Sequence, residues 1–315
     1  MPRRPLKIGF LGPVLDSSSG HARSISRAIA VVQSRLPAFA EGHAELLVQD
    51  DGASAAGGET GARMLLERKP DIVAGLFSSD AAAAATPLLT AHDIEVVIAG
   101  ANLDSLTAAE GVFRICDTAS DYAAWIARVI DRLAPCSFAI HAEPSHFGQS
   151  IGRRLAAARR SDDRCHAQAA ACIGQFQFVE QLVREETVTL APGDTLLLTD
   201  DCQSDHKVQA IAELLPGVEI LVAGFCRRPA LGRSWARDAA FRRWGKEPAA
   251  FFHETIAAIE TATHIAEHGP PIGPVGTVFG DLVFDASGEA HPQRMVLYHS
   301  TARGLVECPL EPDAS

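Results

Sequence analysis

The sequence predicts an α/β protein of two Rossmann-like lobes with parallel sheets and a ligand cleft between them, and three observations predict it. Short apolar runs alternate with segments of helical periodicity four times before residue 117, a repeat that a parallel sheet with right-handed crossovers satisfies. The alternation restarts near Val112-Phe-Arg-Ile-Cys116 and continues to about residue 229. In the first half, Asp71-Ile-Val-Ala-Gly-Leu-Phe-Ser-Ser-Asp80 leads through a Ser-Ser turn into the alanine-rich run Ala81 to Leu89. That is the pattern of a strand buried on both faces that opens directly into a helix. In such lobes, ligands bind in a crevice at the carboxyl ends of the strands.

The elements follow in order. Lys7 to Leu11 is the first strand, ended by Gly12-Pro13, and His21 to Leu36 carries Ile25, Ile29, Val32 and Leu36 at helical spacing. Ala44 to Val48 is a strand closed by the turn Gln49-Asp-Asp-Gly52, and Gly58 to Arg68 a helix. After the strand at Asp71 come a helix over Ala81 to His92 and a strand over Ile94 to Ala99. In the second half, Asp121–Leu133, Gly148–Arg160, Phe176–Glu185 and Asp205–Leu215 read as helices. Ser137–His141, Asp194–Leu198 and Val218–Ala223 read as strands between them. Trp235–Trp244 and Phe251–His268 are helices with no strand between, and Gly276 to Leu305 reads as strands around the turn Asp285-Ala-Ser-Gly288.

With 315 residues, 47% of them hydrophobic and 21% charged, the chain can bury two ordinary globular cores. A formal charge of -11 excludes nucleic acid or an anionic membrane as the main partner. No run approaches the roughly 18 to 20 apolar residues of a membrane span. Met1 to Lys7 has the charge of a leader, but Ile8 to Val14 is short and ends in a Gly-Pro turn. The expectation is a cytoplasmic protein, or a periplasmic one if a leader has been removed. Seven cysteines (116, 136, 165, 172, 202, 226 and 308) lack CxxC spacing, which predicts reduced thiols.

The chemistry-bearing residues leave pairs of readings open. Ser78, Ser79 and Asp80 are helix-capping types. The same turn presents unpaired N–H groups and a positive helix end, which suit a carboxylate or amide carbonyl. Asp16 to Ser19 caps the first helix or, through Ser18, contacts ligand. Asp200-Asp201 either caps the helix over 205–215 or partners a ligand cation. Cys165-His166 and Cys172 read as surface residues of a polar, arginine-rich segment. His141 and His146 lack metal-ligand spacing, and Arg114 reads as a salt-bridge anchor of an inter-lobe crossover. No Walker A, GxGxxG or GxSxG sequence is present.

Several of these stretches resemble type I periplasmic binding proteins: Lys7-Ile-Gly-Phe-Leu-Gly-Pro13, the Gln-Asp-Asp-Gly turn at 49–52 and the Gly-x-x-Ser-Ser turn at 75–79. Val112-Phe-Arg114 with Asp121, His146-Phe-Gly-Gln149 and Gly280-Asp-Leu-Val-Phe-Asp-Ala-Ser-Gly288 extend the likeness over nearly the whole chain. It is greatest to the leucine/isoleucine/valine-binding branch, which has amide- and urea-binding members. The resemblance implies a first lobe of 1–117 plus about 230–275 and a second of 118–229 plus about 276–315. Hinge crossovers fall near 115–120, 225–232 and 272–285. It places a ligand carboxylate on Ser79 beside Ser78, with Gly100 and Asn102 at the end of the next strand and Phe147 covering the ligand. Where the family carries an acid for the ligand ammonium, this chain reads Gly224-Phe-Cys-Arg-Arg228. The arginines there, Arg227 foremost, either face solvent or capture a carboxylate, and Asp201 is the relocated ammonium partner if there is one. The implied role is non-enzymatic binding of an amino-acid-like or amide-like molecule by lobe closure, for an ABC importer, without metal or cofactor. A cytosolic amide-type sensor, or a pathway enzyme that borrowed the fold, is the alternative. The partners implied are a small-molecule ligand and an ABC permease or regulatory protein.

Overall fold

A computed structural model describes residues 4–15, 20–133, 137–157, 168–225, 229–290 and 295–308. In chain order the elements are β1 (Leu6–Gly12), α1 (Gly20–Arg35), α2 (Pro37–Ala40), β2 (Ala44–Asp50), α3 (Ala55–Arg68), β3 (Ile72–Gly75), α4 (Ser79–Thr90), β4 (Glu95–Ile98) and β5 (Val112–Arg114). Then come α5 (Ala119–Leu133), β6 (Ser137–Ala142), α6 (His146–Ala157), β7 (Gln168–Ile173), α7 (Phe176–Arg184), β8 (Thr195–Leu198), α8 (Asp205–Leu214) and β9 (Glu219–Phe225). The last are α9 (Trp235–Trp244), α10 (Phe252–His268), β10 (Val275–Thr277), β11 (Gly280–Leu282), β12 (Met295–Thr301) and β13 (Gly304–Cys308). The chain divides into two compact units, residues 1–117 with 227–293 and residues 118–226 with 294–315.

The first unit is built on a parallel sheet of order β2-β1-β3-β4-β5, with Ile8 opposite both Leu46 and Ile72. Its strands are short and apolar because both faces are covered: Ile8, Phe10, Ile72, Val73, Val96 and Val97 are fully buried. α10 packs on this sheet through Phe252, Ile256, Ile259 and Ile265. β3 must end in glycine. Gly75 has φ +117, and a Cβ there would stand 2.2 Å from the carbonyl oxygen of Leu11. The next residue, Leu76, is left-handed at φ +58 and donates its N–H to that same oxygen at 2.6 Å. This kink turns the chain out of the sheet and into α4.

The second unit has the sheet order β13-β12-β9-β8-β7-β6, with β6 to β9 parallel and β12 and β13 antiparallel. β7 was not expected. Gln168-Ala-Ala-Ala-Cys-Ile173 has the composition of helix filler, and only the flanking strands make it a strand. Cys172 is fully buried there rather than on the surface; Cys165, His166 and the arginines beside them lie outside the described residues.

Residues 276–290 group with the first unit, not the second. Ala230 donates to the carbonyl of Val278 at 3.1 Å, and the N–H of Val278 donates to Glu260 of α10 at 2.6 Å. The turn at Asp285–Gly288 ends against β5, where Arg114 N donates to the carbonyl of Gly288 at 2.8 Å. Arg114 does form a salt bridge, with Glu289, and both partners belong to the first unit. Its Nε donates to Glu289 at 2.8 Å and its Nη1 to the carbonyl of Leu103 at 2.8 Å. Thr107 completes the cluster at 2.6 Å from the same carboxylate.

Candidate functional site

The carboxyl edge of the first sheet brings together the turns after β2, β3 and β4. Ser78 is the N-cap of α4, accepting the N–H of Ala81 at 3.4 Å, while its hydroxyl donates to the carbonyl of Ala53 at 3.2 Å. Ser79 is the first residue of the helix, two residues earlier than the expected start at Ala81. Its buried hydroxyl donates to Oδ1 of Asn102 at 3.3 Å, and Asn102 is itself buried. The side-chain nitrogen of Asn102 adds two donors, and a helix's first N–H has no intrahelical acceptor. Ser78, Ser79 and Asn102 therefore converge, with capping and the ligand-type pair divided between the two serines.

Gly100 lies beside them for a steric reason. A Cβ on it would stand 2.9 Å from the ring of Phe77 and 3.5 Å from that of Phe251. Phe77 and Phe251 meet edge to face at 5.2 Å, and His21 meets Phe251 at 4.8 Å. Phe251 holds this place with a left-handed backbone, φ +66, at the start of α10. Sequence reading missed all three rings. Phe77 was hidden in a turn, and Phe251 and His21 read as helix starts.

Asp50 and Asp51 form more than a turn. Asp50 accepts the N–H groups of Val14 and Leu15 at 2.7 and 2.9 Å. Asp51 is fully buried and accepts from Ala53 at 2.8 Å with one oxygen, while its Oδ2 finds no partner among the described residues. Burial pushes its carboxyl up to about 6.

In the second unit the equivalent edge is internally bonded. Tyr122, fully buried, hydrogen-bonds Asp200 at 3.1 Å and donates to the carbonyl of Ala223. Its ring stacks on Phe225 at 5.7 Å and lies 6.1 Å from Phe147, the second residue of α6. Gln203 clamps the backbone of Phe225, donating at 2.6 Å and accepting at 2.9 Å. Asp201 accepts the N–H of Phe176 at 2.8 Å and pairs with Lys207 at 3.2 Å. The expected cap role of Asp200-Asp201 is not seen: Ser204 occupies the N-cap position of α8, and the two acids lie in a 3-10 turn. Ser18 and Arg227 lie outside the described residues. Among the described residues no cluster of His, Cys, Asp and Glu could hold a metal, and Cys116, Cys172, Cys202 and Cys308 form no disulfide.

A family model described as periplasmic binding protein matches residues 5–162. The chain belongs to the periplasmic binding protein family. Solved structures agree on the fold. LivK, a leucine-binding protein from Thermotoga maritima, superposes with a TM-score of 0.78 at 14% identity, covering 96% of this chain and 98% of that one. LivJ from Streptococcus pneumoniae, in complex with isoleucine, gives 0.73 at 16% identity, over 96% and 100%. A solute-binding protein of an ABC transporter from R. palustris, in complex with benzoate, gives 0.72 at 12% identity, over 96% and 95%. No curated protein matches by sequence. The two-lobed periplasmic-binding fold of this family member is thus established, and no described helix is long and apolar enough to cross a membrane.

Proposed function

We propose that this periplasmic binding protein is the non-enzymatic ligand-binding component of an ABC importer, and that its ligand is a small organic carboxylate without an essential ammonium group. The observation that carries the reading is the buried Ser79–Asn102 pair at 3.3 Å beside the Phe77–Phe251 edge. The pair, with the helix N-terminus, supplies donors for a carboxylate, and the rings offer an apolar wall for a planar body. The acids that could receive an ammonium, Asp200 and Asp201, already serve Tyr122, Lys207 and the N–H of Phe176. Benzoate-type acids, for which the R. palustris neighbour is a precedent, and amides rank ahead of leucine on this ground. Gly100, Phe147 and closure of the lobes about crossovers near 115–120 and 225–232 belong to the same proposal.

A thermal-shift screen over benzoates, amides, ureas, dicarboxylates and branched amino acids tests it. A ligand at a hundredfold excess over its Kd adds about 2.7 kcal/mol of stability. Ser79→Ala should then lower the affinity by about 1.5 to 3 kcal/mol without unfolding the protein. Tight binding of leucine alone, insensitive to Ser79→Ala, sinks the proposal. Location separates importer from cytosolic sensor: recovery in the exported fraction of source cells supports the first, and recovery in the cytoplasm the second.

A further inference from the structure

Away from the carboxylate site, the face of α9 is opposite in character to the chain around it. Residues 233–247 carry Arg233, Arg237, Arg242, Arg243 and Lys246 against Asp238 and Glu247, in a protein of formal charge -11. Two of the three tryptophans, Trp235 and Trp244, are on the same helix, and Phe241 is 54% exposed. α9 buries Ala236, Ala239 and Ala240 and leaves these groups wholly or partly exposed.

The groups are organised all the same. Arg27 of α1 and Arg243 both stand over the ring of Trp244, at 5.2 and 5.1 Å from its centroid. Such cation–ring contacts hold two guanidinium groups in place at little entropic cost. Arg237 is held by Glu247 through two hydrogen bonds of 2.7 and 2.6 Å. Together with Asp238, Phe241 and Arg242 they line a hollow of about 270 Å³. Among the described residues no carboxylate is in ion-pair range of Arg242, Arg243 or Lys246.

Arginine and aromatic residues are the types enriched where proteins meet, and they supply most of the residues whose loss weakens such interfaces. We propose that the α9 face docks an acidic segment of a partner protein. Its carboxylates meet Arg242, Arg243 and Lys246, and an apolar side chain between them seats against Phe241. The charges set the encounter rate and salt dependence, and the aromatic contact sets how long the partner stays. The inference is independent of the ligand assignment, since no residue of the carboxylate site takes part.

The test uses the full chain and a fluorescein-labelled peptide in which Asp-Glu pairs flank a leucine. Binding is expected at low salt, to weaken about tenfold on raising the ionic strength toward 0.3 M. It should fall at least about tenfold in the double variant Arg242→Glu/Arg243→Glu. Phe241→Ala should shorten the bound lifetime, and Ser79→Ala should leave peptide binding unchanged. All these positions but Ser79 are on the surface, and circular dichroism verifies that each variant folds; Arg242→Gln/Arg243→Gln repeats the test without charge reversal. Absence of peptide binding, or binding that both double variants retain, overturns the proposal. So does a preference of the same face for phosphatidylglycerol vesicles, or a self-association in sedimentation that the double variants abolish.

Discussion

The carboxyl edges of the two sheets differ in how their polar groups are hydrogen-bonded. In the second unit, Asp200, Asp201 and Gln203 are bound to Tyr122, Lys207 and the backbone of Phe225. In the first, the described partners of Ser79 Oγ and Asn102 Oδ1 are only each other, and a third buried group, Asp51, keeps one oxygen unbonded. Buried polar groups left short of partners are costly, and their presence at the first edge among the described residues is what supports the proposal that a ligand binds there. The second edge is tied together through the ring stack of Tyr122 on Phe225.

The largest expected effect comes from unsettling the support beneath the first edge. Glu289→Ala strands the buried guanidinium of Arg114, whose Nη1 holds the carbonyl of Leu103 next to Asn102. Loss of one partner of a buried pair costs about 3 to 5 kcal/mol. Denaturant titration followed by hydrogen exchange should show that loss in residues of the first unit, while the second unit keeps its protection. Equal loss in both units would dissolve the contrast.

Next in size is Gln203→Leu, which leaves the N–H of Phe225 unbonded and its carbonyl held by the Tyr298 hydroxyl alone. It should cost about 1 to 3 kcal/mol in the second unit. Carboxylate affinity should change less than with Ser79→Ala; a larger change would make the second edge the primary site. Asn102→Ala sharpens the contrast from the other side. Calorimetry should record a loss of affinity comparable to that of Ser79→Ala, and the double variant should lose less than the sum, because the two side chains act as one unit.

The smallest effect is in pH. Asp51 titrates at about 6 in the folded chain against an ordinary 3.8, raised chiefly by burial. The folded state therefore holds the proton more tightly, and stability falls as pH rises between those two values and then levels. Glu260, raised by burial to about 7, adds a fall in the same direction that reaches higher pH. Asp51→Asn should flatten the lower part of the profile in Tm measured from pH 4 to 7. A variant whose slope is unchanged there would mean that Asp51 is solvated.

How much of this was legible can be argued residue by residue. Ser79 could be placed because a Ser-Ser turn after an apolar run fixes a helix start, whereas Asn102 was legible only through the resemblance to periplasmic binding proteins. Ser78 as the cap and Ser79 as the pair could not be separated, since the boundary depends on the kink that Gly75 and Leu76 impose. Phe251 gave no signal, because its left-handed backbone puts the ring beside Phe77 only through the long connection that returns α10 to the first sheet.

The sequence by itself determined the alternation of strands and helices, the parallel sheets, and the Gly75 to Asp80 turn of the candidate site, because periodicity and turn chemistry are local. Tertiary structure alone decided that an alanine run at 168–173 is a central strand and that 276–290 belongs to the first unit. It also decided that Arg114 pairs with Glu289 across 175 residues of chain. These outcomes depend on which surfaces are left to be covered once the neighbours have packed, and a buried charge accepts whichever partner the topology delivers.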